Sequence, residues 1–188
     1  MLYHVSQTLG LKTLKPHRST HEKAYVYAVE NLVIGLLFGA KKDDFDFIID
    51  IGENGVPAIF ECYPKAFQTI YRGKSCSIYE VEESGFQMGV TSWSPEFVCE
   101  CEVPVVREIV VSDLYQRLHE EESAGRLIIH RYEFCEAYRQ KIANHIVDRI
   151  FRFDLDLRTC LKQDRRFATH YCAIVQALLA VLDGHLLQ

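Results

Sequence analysis

The hydrophobic period of the chain changes at Ser112. Up to Val111 the apolar residues come in short β-branched and aromatic runs divided by turn signals: LYHVS (2–6), AYVYAV (24–29), FDFIIDI (45–51), VPAIFECY (56–63), SCSIYEVE (75–82), EFVCECEV (96–103) and VVREIVV (105–111). Runs of this length and spacing predict the strands of a compact sheet structure, and GENG between the third and fourth marks a hairpin. Within this half, ENLVIGLLFG has apolar residues at 32, 33, 36 and 37, a helical spacing that Gly39 is placed to end. After Ser112 three longer segments follow helical spacing: SDLYQRLHEEE, with Ser or Ser-Asp as its N-cap, RYEFCEAYRQKIANHIVDRIF, and DLRTCLKQDRRFATHYCAIVQALLAVLDG, closing at Gly184. The fold class expected is α+β. A mixed or antiparallel core of about six to seven strands in two packed sheets occupies 1–111, and a helical extension over 112–188 packs on it.

A chain of 188 residues, with 48% apolar and 25% charged residues, suits one such domain with an appendage. The net charge of -5 argues against broad, salt-driven binding to nucleic acid, which needs a basic face, but leaves room for a local phosphate site. Seven cysteines (62, 76, 99, 101, 135, 160 and 172) are an odd number without a disulfide framework, and MLYHVSQTLG lacks the features of a signal peptide. Reduced thiols in a cytoplasm are expected. AIVQALLAVL is far short of the ~20 apolar residues needed to cross a membrane, so no membrane partner is expected.

Several familiar motifs fail. HEKAY at 21 and HEEES at 119 open like a zinc protease signature but lack the second histidine four residues on. Cys99 and Cys101 in VCEC would share one strand face, yet no second close Cys or His pair completes a metal site, and two inert thiols are expected. Neither a dinucleotide-binding GxGxxG, a P-loop nor a GxSxG elbow occurs. His130, His145 and His170 read as core or surface histidines, and HEEES and QDRRF as solvated helix faces.

The features left over are His4 and Ser6 in YHVS on the first strand, Tyr27 on the second, Phe38 eleven residues later, and Glu96 opening EFV on a late strand. In order and spacing this resembles the ADP-ribosyltransferase superfamily of the diphtheria toxin and poly-ADP-ribose polymerase type, over roughly residues 2 to 111. There a first strand carries Y/W-H-G-T/S, a second an aromatic, a second aromatic follows eleven residues on, and a late strand begins Glu-Tyr-Ile.

The resemblance implies an NAD-dependent mono-ADP-ribosyltransferase, with NAD as substrate, no metal, and a protein or nucleic-acid acceptor. Cleavage of the nicotinamide–ribose bond passes through an oxocarbenium-like transition state, which a carboxylate stabilises; that role falls to Glu96. Tyr27 and Phe38 would sandwich the nicotinamide ring. His4 would bond a ribose hydroxyl and Ser6 one on the adenosine side, while the edge of LYHVS would offer backbone groups to the carboxamide. The polar loop 12–23, with Lys15, His17 and Arg18, is the nearest basic cluster for the pyrophosphate.

Two residues depart from the family pattern: Val5 stands where the family has glycine, adding a Cβ beside the backbone, and Phe38 lacks a tyrosine hydroxyl. Read singly, His4 is equally a strand histidine bonded to a carbonyl, and Tyr27 and Phe38 are equally core aromatics. Trp93 is either a wall of the acceptor side or a loop anchor. Any of Glu96, Glu100 and Glu102, or none, could be the inward carboxylate; strict alternation would put all three on one face, which is awkward for a buried catalytic carboxylate unless the strand bends or bulges after Val98. Two other functions stay open: a degenerate transferase fold that binds a nucleotide or partner protein, and an RNA 2′-phosphotransferase, which needs more arginines than Arg18 supplies.

Overall fold

A computed structural model describes residues 1–18, 23–52, 54–91, 93–133 and 135–185. His21 and Glu22 of HEKAY lie outside the described residues. The described chain is α+β, with the elements β1 (Leu2–Ser6), β2 (Thr13–Leu14), β3 (His17–Arg18), β4 (Ala24–Val29), α1 (Leu32–Leu37), β5 (Phe47–Ile51), β6 (Pro57–Glu61), α2 (Ala66–Tyr71), β7 (Cys76–Val81), β8 (Gln87–Met88), β9 (Glu96–Cys99), β10 (Val103–Pro104), β11 (Arg107–Val111), α3 (Leu114–Ser123), β12 (Ile128–His130), α4 (Glu136–Arg152), α5 (Leu157–Gln163), α6 (Arg165–Thr169) and α7 (Cys172–His185). The residues cluster into two compact units, the first made of Met1–Lys42, Ile51–Ala58 and Phe67–Ile128, the second of Asp43–Asp50, Ile59–Ala66 and the chain from Ile129.

The first unit is built on an antiparallel sheet of order β11-β7-β1-β4-β9-β8, with β3 paired to β4. The Tyr3↔Val29, Tyr3↔Glu80 and Val29↔Glu96 pairs align the pleats of four strands. By alternation Leu2, His4, Ser6, Val26, Ala28, Tyr79, Val81, Phe97 and Cys99 leave one face, and Tyr3, Val5, Tyr25, Tyr27, Val29, Glu96 and Val98 leave the other. The first face is closed by the two-stranded β2–β10 ladder, whose Leu14 and Val103 complete a buried apolar cluster with Leu2, Val26, Ala28, Tyr79, Val81, Phe97 and Cys99. The second face carries α1. A Cβ at Gly35 would lie 3.1 Å from Val5 and 3.3 Å from Val29, so helix and sheet meet at this glycine.

Helix α1 starts where Asn31 accepts hydrogen bonds from the amides of Val33 (2.9 Å) and Ile34 (3.3 Å). It ends at Phe38, and Gly39 serves packing more than the turn. A Cβ at Gly39 would come within 2.9 Å of both Cys76 Sγ and Leu114.

The second unit carries most of a three-stranded sheet of order β12-β6-β5. Tyr138, Ile142, Ile146 and Ile150 recur every four residues along α4 and are all buried. Phe45 packs edge-on against Phe167 at 5.0 Å. Beside it Arg166 binds Asp43 (2.6 and 2.7 Å), Asp46 (2.8 Å) and Asp164 (2.7 Å), and Tyr63 donates to Asp46 at 3.0 Å.

Several expectations change. EFVCECEV is two strands in two sheets: β9 stops at Cys99, and β10 pairs with β2. Cys99 is consequently buried and Cys101 exposed, so the two thiols do not share a strand face. The single long C-terminal helix is three helices, because Asp164 ends α5 and its carboxylate accepts from the Arg166 amide (2.8 Å) to start α6. Helix α7 runs past Gly184 to His185, so that glycine is no cap. Helix α2 and strand β12 were not anticipated. No helix among the described residues is long and apolar enough to cross a membrane.

Candidate functional site

The ladder between β1 and β4 is short. On its far side β1 pairs with β7 at five positions, and on its far side β4 pairs with β9 at four, yet β1 and β4 pair only at Tyr3↔Val29. Beyond that pair the ladder gives way to a seam, which His4 bridges with its ring: Nδ1 lies 2.7 Å from the carbonyl oxygen of Tyr27. A carbonyl only accepts, so Nδ1 carries the proton in this bond, and the neutral ring presents Nε2 as an acceptor. Burial pulls the His4 pKa below its ordinary value, outweighing the carbonyl's opposing pull, with the charge of His17 adding to the fall. Neutral His4 is thereby favoured.

Tyr27 belongs to the opposite wall. Burial raises its phenol pKa, and the neighbouring charge of Glu96 raises it further. Tyr25 packs edge-on against it at 5.9 Å. Glu96 starts β9 opposite Val29, half-buried, with its amide donating to the Trp93 carbonyl at 3.1 Å in a tight turn. That turn carries Trp93 to Phe38, their ring centroids 5.3 Å apart. Phe38 is 43% exposed, which takes it out of the core, and Lys42 Nζ stands 4.1 Å from its ring centroid.

The structure thus joins His4 to Tyr27 through the main chain, Tyr27 to Glu96 by neighbouring charge, and Glu96 to Phe38 through Trp93. The pleat nevertheless sends His4 and Glu96 to opposite faces, with the seam as what they share. Ser6 is on the His4 face, its hydroxyl accepting from the Thr8 amide at 3.1 Å. Arg18 lies exposed on β3 opposite Ala24, and Lys15 pairs with Glu102 at 3.6 Å. Val5 turns its side chain toward Gly35 of α1, leaving its backbone at the seam edge. Because β9 ends at Cys99, Glu100 and Glu102 do not continue the Glu96 face; they pair with Lys23 and Lys15. They line, with Glu82, Tyr25 and Val98, a cavity of about 640 Å³. No family model, curated protein or solved structure matches the chain.

Among the described residues no group of three or more His, Cys, Asp or Glu is arranged to hold a metal ion. Sequence reasoning missed Lys42 and the Trp93–Phe38 contact. The chain has left α1 at Phe38, so no helical spacing signals the Lys42 contact. Nothing in the sequence signals a contact between residues as far apart as Phe38 and Trp93.

Proposed function

We propose that the chain binds NAD at the seam, cleaves its nicotinamide–ribose bond and passes ADP-ribose to a protein or nucleic-acid acceptor. The observation that carries this reading is that three neighbouring strands of one sheet bear the candidate residues: β1 with His4, β4 with Tyr27 and β9 with Glu96. Each residue has a chemical task there. Neutral His4 offers Nε2 to a ribose hydroxyl. The exposed face of Phe38 already holds an ammonium, and the same quadrupole attracts a pyridinium ring. Glu96, half-buried beside Tyr27, supplies the negative charge that an oxocarbenium-like transition state requires, where one well-placed group is worth roughly 10²–10³ in rate.

One observation favours a second reading, nucleotide binding without cleavage. His4 and Glu96 leave opposite faces of the sheet, so a ligand held by one reaches the other only through the seam.

Trp93 is the only tryptophan in the chain and touches Phe38, so its fluorescence reports on the site. Titration with NAD is expected to quench it, and Phe38→Ala or His4→Ala to weaken the titration. Unchanged emission with unchanged thermal stability at saturating NAD would refute both readings. Binding retained with no nicotinamide released favours the second.

A further inference from the structure

Outside the seam, one carboxylate collects hydrogen bonds from the loop after β1 and from β7. Glu108 Oε1 on β11 accepts from the Gly10 amide (2.8 Å) and from the Ser77 hydroxyl (2.6 Å), and it lies 3.1 Å from the Tyr79 hydroxyl. That hydroxyl donates to the Thr8 carbonyl (2.7 Å) and accepts from the Leu11 amide (3.2 Å). Residues 7–11 follow β1 directly, so these bonds draw the chain leaving Ser6 across β7 to β11, away from β4. Gly10 has a φ of 74°, a left-handed conformation that aims its amide at the carboxylate and that side chains resist. Ser77 is fully buried, which makes its hydroxyl a fixed anchor.

We infer that Glu108 is a positioning residue: by holding the loop after β1 on the β7–β11 side, it fixes the end of β1 and orients Ser6 and His4 toward a ligand. The inference rests on the NAD reading of the seam. Its physical basis is independent of that reading, because both acceptances come from the loop and β7 alone. The Gly10 bond, first among the causes, holds the Glu108 carboxyl below the usual carboxylate range, so the carboxylate stays charged wherever the protein is handled near neutrality.

The test combines amide hydrogen exchange at Gly10 and Leu11 with NAD titration by Trp93 fluorescence, in wild type, Glu108→Ala, Glu108→Gln and Ser77→Ala. Alanine is expected to lower protection of both amides by roughly tenfold and to weaken NAD binding by a similar factor. Glutamine keeps an acceptor oxygen and is expected to restore most of both effects; a residue needed only for bulk stability would show no such rescue in NAD affinity. Ser77→Ala, which leaves the Gly10 bond in place, covers the case in which Glu108→Ala fails to fold, and is expected to give a smaller loss in the same direction. Unchanged exchange in both alanine variants would overturn the latch. Lost protection with unchanged NAD affinity would overturn the positioning role. A wild-type protein that binds no NAD removes the reading beneath the inference, and the exchange data then show whether the latch alone stands.

Discussion

At the scale of single residues, His4 is the most exposed to a decisive test. Its burial, like that of His145 and His170, lowers the pKa in the folded chain. Above the ordinary value of about 6.5 both folded and unfolded histidines are neutral and contribute nothing. As the pH falls below that value the unfolded chain takes up protons first, so stability drops until the folded pKa values are passed. Denaturant unfolding is therefore expected to show stability falling from about pH 6.5 downward, with a shallower slope in His4→Gln. An identical slope would mean that His4 titrates normally. Arg166 offers a second test: Asp46 is only 4% exposed and shares Arg166 with Asp43 and Asp164. Arg166→Ala strands these carboxylates, and a loss of about 3 kcal/mol is expected in urea unfolding. A loss below about 1 kcal/mol would class the network with surface ion pairs.

At the scale of elements, α1 depends on its cap and on two close approaches. Asn31→Ala removes the acceptor for two amides and is expected to cost about 1 kcal/mol. Gly39→Ala must push aside both Cys76 and Leu114, which are fully buried, and is expected to cost about 1–3 kcal/mol by thermal unfolding. A neutral result would show that both side chains yield freely.

The elements also show what could be read in advance. The strands at LYHVS, AYVYAV and SCSIYEVE, helix α1 and the α+β class were legible because their apolar residues repeat at the strand or helix period. The break of EFVCECEV after Cys99 was not, since its two halves satisfy different sheets and tertiary pairing overrode local alternation. Nor was the division of the C-terminal helix, where Asp164 looked like a solvated helix residue but caps α6 and binds Arg166. For the site, residue types and order were legible. The pleat that parts His4 from Glu96 depends on a cross-strand register, which sequence does not display.

At the scale of the whole molecule, the first unit contains every residue assigned to the NAD reading, and the second unit contributes none of them. The apolar cluster behind the sheet fixes β1, β4 and β9 against the β2–β10 ladder, while the seam stays unladdered beyond Tyr3 and Val29. The most direct measurement is nicotinamide release from NAD by the purified chain, followed beside Glu96→Gln. The account predicts release by the wild type and a fall of roughly 10²–10³ in the variant, with NAD binding retained. Release that is equal in both proteins, or absent from the wild type, would contradict it.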